Sequence, residues 1–529
     1  MNFKKIKLFI NTIIFLKPIQ IYYRFFYFLR NRFIYPLIRS KYNDSIQNLN
    51  WESSIFLVSS YSSINNGFIF LNIEHQFINQ IDWNYSKFGK LWTYNLNYFD
   101  FLHQNDMSKA IGLDLIYRYI NSDPVLIDGK EPYTISLRGI NWIKFLSYNK
   151  IKDEEINQTL FKHYQILLNN LEYHLLGNHL LENGFSLLFG AYYFDNEKLL
   201  LKSKKILTDE LNEQILNDGA HFELSSMYHQ IILGRLLDCI SLIENNSWKN
   251  DLSFIEFLRT KARIMLSYLF TITYKNGDVP MINDSTFDIS PSSYNLFNYA
   301  RKLDLKYNEL TLSDSGYRKV KMDKYELFID IGNIGPDYQV GHSHADTFNF
   351  ELYVNNKPII VDRGVSTYEI NDVRQEERGT SAHNTVIVNN NNQSIVWEGF
   401  RVANRAKVVK SNSYENVHSG EHDGYLKLNG NHKRKFIYNE NEIIIEDSFS
   451  KENDCVCEAN FHFHDKTRIL EIKDNQVKIS DGLILNFYSS NKIKIKTSDY
   501  ELAQGFNKTT KARRISVIFN KQLKTKISL

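Results

Sequence analysis

The sequence predicts a two-domain α+β protein, a helical array followed by an antiparallel β-domain. Two changes of texture carry that reading. From about residue 105 to 275, apolar residues recur at helical spacing between short polar breaks. After about residue 322, short runs rich in β-branched and aromatic residues alternate with Asn, Asp and Gly breaks. Helices in one block and strands in another imply two domains rather than one interleaved sheet. A length of 529 residues agrees, at about 100–200 residues per domain.

Helices are expected over 154–176, 179–194, 197–216, 227–243 and 255–273. In the second, Leu181, Phe185, Leu188 and Tyr192 share one stripe while Leu180, Leu187 and Ala191 line another. A helix apolar on two sides is buried on two sides, which suits helical hairpins stacked in a solenoid or toroid. Strands are expected over 325–331, 348–354, 358–362, 384–388, 406–410, 433–438, 442–447 and 483–488. Asn355-Asn356 and the asparagine run 389–392 sit between apolar runs, as hairpin turns should. The boundary falls near 305–322, after an irregular loop over 278–293. That divides the chain into an arm (1–45), a helical domain (46–315) and a β-domain (316–529).

Composition bounds the function classes. With 43% hydrophobic and 23% charged residues, disordered and fibrous classes are excluded. Sixty-three Lys and Arg against 60 Asp and Glu give +3, no case for nucleic-acid binding. Three cysteines cannot form a disulfide framework.

The first 43 residues depart from this balance, with nine Lys or Arg and no Asp or Glu. Their apolar run over 8–16 contains Asn11 and Thr12, ends at Lys17-Pro18, and is too short to span a bilayer. No small-residue cleavage site follows it. The segment holding Ile21, Tyr22, Phe25, Phe26, Phe28 and Leu29 could lie on an anionic membrane surface. The other reading is a helical arm docked on the body with its arginines solvated. The expected compartment is the cytoplasm or its membrane surface, with the periplasm as the alternative.

Three clusters offer chemistry. In the first, Gly177 would end one helix and Asn178 would cap the next, placing His179 and Glu182 at i and i+3 on one face. A helix N-terminus favours anions, so a substrate carboxylate could bind there beside a neutral, proton-accepting His179. Alone, the hexapeptide reads first as a capping asparagine with a satisfied interhelical histidine. The second cluster, 218–229, runs from a Gly turn into a helix carrying Tyr228 and His229 in its first turn. A tyrosine near a helix N-terminus and a cation has its pKa lowered, which would suit acid/base work. Alone, it reads first as a core tyrosine with a bonded hydroxyl.

The third cluster holds His342 and His344 at i and i+2, Asp362 18 residues after His344, and His383 21 further on. These are ligand types for zinc. Pairing across Asn355-Asn356 sets Asp362 opposite 349–350, so a bend must bring His344 in. The spacing permits a metal without requiring one, and scattered polar loop residues fit it as well. Among lesser candidates, Trp92 and Tyr94 could stack sugar rings or pack in the core. Arg138 could clamp a carboxylate or pair with an internal acid. The alternation Phe461-His462-Phe463-His464 suits a half-buried strand, and Cys455 and Cys457 read as inert thiols.

The strings GNHLLENG (177–184), DGAHFELSSMYH (218–229), GHSHADTFNFEL (341–352), VDRGVSTY (361–368) and SAHNTV (381–386) resemble those of heparinase II/III-like proteins. That family includes heparinase- and alginate-lyase-type polysaccharide lyases. The resemblance runs from LWTYNLNYFD (91–100) to FRVANRAKV (400–408). It implies an (α/α) toroid followed by an antiparallel β-sandwich, with a cleft between them. It also implies a bacterial lyase that cleaves a uronic-acid-containing glycan by β-elimination, with an acidic polysaccharide or oligosaccharide as partner.

By the same resemblance, Asn178 and His179 engage the uronate carboxylate and Tyr228 is the acid/base. His342 neutralises charge in the cleft, Glu182 contacts substrate, and Tyr368 lies near a second cleft tyrosine. Arg138 is similar to an arginine of some members. His344, Asp362 and His383 match the ligands of a structural zinc ion. Two alternatives stand beside the lyase. Hydrolysis needs two carboxylates at a suitable separation, and Glu182, Glu223 and Asp284 form no evident pair. A glycan-binding factor of surface-polysaccharide production would keep the cleft without the chemistry.

Overall fold

The computed structural model describes residues 3–33, 46–52, 59–246, 248, 249, 251–451 and 455–529. Two helices form the arm, α1 (Phe3–Ile13) and α2 (Pro18–Phe33). A three-stranded antiparallel sheet over 61–76, absent from the sequence reading, follows. The helical domain then comprises α3 (Lys90–Tyr98), α4 (Lys109–Ser122), α5 (Pro132–Tyr148), α6 (Glu154–Asn169) and α7 (Gly177–Tyr193). It continues with α8 (Glu197–Gln214), α9 (Ser226–Glu244), α10 (Leu252–Ile272) and α11 (Ser293–Lys302). Side chains of Ser108, Asp153, Asn196, Ser225, Asp251 and Ser292 accept from first-turn amides of α4, α6, α8, α9, α10 and α11.

Helices α3, α5, α7 and α9 pack in succession as an inner row, with α6, α8 and α10 against their outer sides. The two apolar stripes read in 179–194 explain this layering. Every residue of α7 is buried except His179. Removing one such side chain, as in Leu188→Ala, costs about 2–5 kcal/mol.

Three expectations about this region change. Helix α6 ends at Asn169 rather than 176, because Glu172 is diverted into tertiary contacts: its N–H donates to Asn183 Oδ1 at 2.9 Å. Gly177 therefore opens α7 rather than ending its predecessor, and Asn178 lies inside the helix rather than capping it.

The switch to strands falls between Lys302 and Tyr317. An eight-stranded antiparallel sheet runs Val408–Tyr414, Val417–His422, His432–Asn439, Glu442–Phe449, Gln522–Ser528, Ile484–Tyr488, Gln476–Ile479 and Ile469–Lys473 in spatial order. One four-stranded sheet holds Lys494–Gly505, Lys508–Phe519, Cys457–His462 and Val386–Val388. Another holds Tyr317–Lys321, Tyr325–Asp330, Phe350–Val354 and Lys357–Ile360, and the bridge Ile360↔Phe463 joins the two.

Strand His432–Asn439 buries alternate residues, and its inward Phe436 shares one core with Ile445, Leu485, Leu352, Phe461 and Val517 from all three sheets. The fold class is therefore the predicted one. The histidine-phenylalanine alternation at 461–464 is buried rather than half-buried, since Phe461, His462 and Phe463 all have no exposed surface.

Candidate active site

A cleft of about 1390 Å³ opens between helical and β-domains, lined by Asn178, His179, Glu182, Tyr228, His342 and Tyr368. Asn178 and His179 come from the first turn of α7 and Tyr228 from the first turn of α9. His342 and Tyr368 come from loops of the β-domain. Ser225 accepts from the Tyr228 amide at 3.3 Å and fixes the start of α9.

Glu223, on the loop before α9, holds Asn178. Its Oε1 accepts from the Asn178 backbone amide at 2.9 Å, and both oxygens accept from Asn178 Nδ2 at 3.1 Å. The approach depends on Gly177, whose φ is +59° and whose missing Cβ would lie 2.7 Å from Glu223 Oε1. The second Nδ2 hydrogen faces His342 Nε2, 3.4 Å away.

His342 is set by contacts on three sides. Its Nδ1 meets Asp284 Oδ2 at 2.9 Å, its ring lies 3.9 Å from that of Tyr228, and Nε2 is 3.5 Å from Glu223 Oε2. Asp284 also meets His344 Nε2 at 2.9 Å and accepts from Arg374 Nη2 at 2.7 Å. Arg374 stands on a short helix, α12 (Asp372–Glu377), with its guanidinium 4.9 Å from the Tyr368 ring centroid. The hydroxyls of Tyr228 and Tyr368 are 3.4 Å apart.

The electrostatics divide the roles. Burial pulls the His179 pKa down, but Glu172, whose Oε1 is 2.9 Å from Nδ1, outweighs it with help from Glu223 and Glu182. The net shift is upward, favouring an imidazolium rather than the neutral ring expected from the helix N-terminus. Tyr228 departs from expectation too. Burial raises its pKa, Asp284 and Glu223 add to that, and Tyr368 and Arg374 do not compensate. The phenol is held protonated. Burial also raises Glu182, which lies 3.4 Å from Arg235 Nε.

Other site candidates part company. Tyr94 lines the cleft, with its hydroxyl on Glu131. Trp92 does not: it is fully buried, donates to the Ile73 carbonyl at 3.2 Å, and packs against Phe70, Tyr85 and Phe88. Arg138 is also fully buried. Its guanidinium lies over the Tyr119 ring and donates to the Asn97 carbonyl at 3.3 Å, out of reach of the cleft.

His344, Asp362 and His383 are all buried, and the two imidazole centroids lie 5.3 Å apart. Asp362 Oδ2 meets His383 Nδ1 at 2.7 Å, and Asn349 reaches the same oxygen, as the predicted register requires. Among the described residues, His344 Nδ1 and His383 Nε2 have no hydrogen-bond partner. Two orphaned imidazole nitrogens beside a carboxylate are a donor set of the type zinc takes. Among the described residues, however, no three His, Cys, Asp or Glu side chains converge as a metal site.

Residues 135–311 match the heparinase II/III N-terminus, and residues 307–529 match the heparinase II/III-like C-terminal domain. The chain belongs to the heparinase II/III-like family. Two curated relatives named heparin-sulfate lyase come from Bacteroides thetaiotaomicron and Bacteroides stercoris. They are 28% identical over 237 residues and 24% identical over 246. The matches cover 37% and 42% of this chain but only 34% and 37% of the relatives.

A crystal structure of heparinase III superposes with TM-score 0.67 at 18% identity, over 90% of this chain and 82% of that one. A heparan sulfate lyase from Pedobacter heparinus gives 0.56 at 15%, over 86% and 79%. These likenesses establish the fold, a helical toroid followed by a β-sandwich.

Within this heparinase II/III-like cleft, Arg374 and Glu172 escaped the sequence reading, and Glu223 and Asp284 appeared only as possible hydrolytic acids rather than positioning groups. Glu223 stands inside the 218–229 string, five residues before Tyr228, which is a signal. Asp284 and Arg374 carry none, since Asp284 sits in an irregular stretch, Arg374 on a helix of six residues, and they meet across 90 residues.

Proposed function

We propose that the protein is a polysaccharide lyase that cleaves a uronic-acid-containing glycan by β-elimination. The observation that supports this most is the meeting of Asn178, His179, Tyr228 and His342 on one cleft. Removing the C5 proton of a uronate builds negative charge on its carboxylate, which must be neutralised where it develops. The Asn178 amide and the His179 imidazolium are donors suited to that carboxylate. Tyr228, held protonated, gives its proton to the leaving O4 as the C4–O bond breaks and the C4=C5 double bond forms.

For the C5 proton, Tyr228 serves only as its phenolate, its own proton given up to solvent, and the proton it takes from C5 is then the one it gives to O4. One observation favours a second base. Glu172 fixes His179 Nδ1 and leaves Nε2 free, so its neutral fraction is a competent acceptor. The two differ in their pH dependence.

Hydrolysis finds less support. Glu223 is committed to Asn178, Asp284 to Arg374 and two histidines, and Glu182 is buried against Arg235. Zinc stays a proposal: His344, His383 and Asp362 would hold it, supplying positive charge that fixes the β-domain wall of the cleft. The heparin-sulfate lyase relatives make a glycosaminoglycan the first substrate class to try. The test is release of an unsaturated uronate from acidic polysaccharides by wild type, with loss of release in Tyr228→Phe.

A further inference from the structure

Helices α1 and α2 each have two faces, and the described residues cover only one. On the inner side, Asn11 Nδ2 donates to Asn404 Oδ1 at 2.7 Å and Trp397 Nε1 to Thr12 Oγ1 at 3.1 Å. The Arg405 guanidinium lies 3.8 Å from the Phe15 ring centroid. These partners belong to the β-domain. Along α2, Gln20 Nε2 donates to the Leu175 carbonyl at 3.0 Å, Tyr27 donates to the Leu171 carbonyl at 2.6 Å, and Tyr23 stacks on Tyr173. These belong to the helical domain. The arm therefore bridges both domains, and Phe9, Thr12, Ile13, Leu16 and Arg24 line the cleft.

The outer side is apolar and, among the described residues, uncovered. Phe3, Ile6, Ile10 and Ile14 recur three or four residues apart along one side of α1 and just beyond its end. Ile21, Phe25 and Phe28 do the same along α2, exposed by 53%, 64% and 60%. An apolar stripe this long on one surface marks an interaction site.

Charge selects the partner. Residues 1–43 carry nine Lys or Arg and no acid, and Lys7, Arg24 and Arg32 are exposed on the arm. Apolar residues on one face with cations alongside are the pattern of a helix lying in a bilayer interface. Among the described residues no helix is long and apolar enough to cross a membrane, so the contact is with the surface. A second copy would bring the same basic face against itself, setting like charges together.

We propose that α1 and α2 dock on an anionic lipid bilayer through this outer stripe, holding the rim of the cleft at the membrane surface. Docking and lyase chemistry are separate claims, because vesicle binding is read without a glycan.

The test is co-sedimentation of the full chain with vesicles of phosphatidylcholine, alone or mixed with phosphatidylglycerol. The triple variant Ile21→Ser, Phe25→Ser, Phe28→Ser leaves every inner contact in place, and the charge variant Lys7→Glu, Arg32→Glu leaves the stripe intact. Expected is binding to the anionic vesicles only, released by added salt and weakened about tenfold or more in each variant. Unchanged thermal melting shows that both variants fold. Equal binding to both vesicle types, binding unaffected by either variant, or no binding would overturn the proposal. So would a dimer of wild type that the triple variant dissociates without any vesicle binding.

Discussion

Glu223 and Asn178 are joined by three hydrogen bonds, one from the Asn178 backbone amide and two from its side chain. The pairing turns a helix terminus into a fixed donor. With one Nδ2 hydrogen held by the carboxylate, the other faces His342 and the cleft, where a substrate carboxylate would lie. Gly177 makes room for it.

Glu223→Gln should uncouple this donor. The new amide sets N–H against N–H, so Asn178 loses its fixed orientation and kcat/KM on a uronate glycan falls by about 10–100-fold. Stability should fall by about 1–3 kcal/mol, the cost of buried donors left without an acceptor, read from denaturant unfolding. Full activity in the variant would show that Asn178 needs no such anchor.

Tyr228→Phe should lower kcat by about 10²–10⁴-fold, the usual contribution of a positioned acid or base. The lost hydroxyl makes a single long contact with Tyr368, so unfolding should move by less than about 1 kcal/mol. A matching loss in stability would point to a packing role instead.

The pH profile assigns His179. Its folded pKa lies above the ordinary 6.5, so the charged form is stabilised. The stabilising contribution is complete below 6.5 and fades as pH rises through the raised value. If the imidazolium neutralises the carboxylate, kcat/KM falls over that same alkaline range. If neutral His179 is the base, kcat/KM rises there instead. Either limb should vanish in His179→Gln.

Asp284→Asn removes the anion facing Arg374, His342 and His344, and neither Asp284 nor Arg374 has exposed side-chain surface. Breaking a buried pair by deleting one partner costs about 3–5 kcal/mol. Denaturant unfolding should register that loss, and Arg374→Met should show a comparable one. Little change in both would mean that solvent reaches the pair.

Metal analysis addresses His344, Asp362 and His383. One zinc per wild-type chain is expected, lost in His344→Ala or Asp362→Ala together with a lower melting temperature of the β-domain. Metal-free wild type that folds normally would leave the two unpartnered imidazole nitrogens to water.

Much of this was legible in the sequence because hydrophobic period is a local signal. The double stripe of α7 announced its burial on two sides, and short β-branched and aromatic runs between Asn, Asp and Gly breaks announced a β-domain, while the sandwich came from the family resemblance. What failed did so where long-range contacts decide. Asn183 and His179 draw Glu172 away from α6, so the apolar residues after Asn169 keep helical spacing without continuing the helix. Residue type alone did not separate cleft from core, which is why Trp92 and Arg138 were expected at the site and Arg374 was not. For Tyr228, burial with Asp284 and Glu223 outweighs Tyr368 and Arg374 and raises a pKa expected to fall.

The most direct test of lyase action is the ultraviolet absorbance of unsaturated uronate released from a panel of acidic polysaccharides, starting with glycosaminoglycans. Absorbance that grows with wild type and is absent with Tyr228→Phe is the predicted result. Glycan cleaved to new reducing ends with no gain in absorbance would contradict β-elimination and move the assignment to hydrolysis.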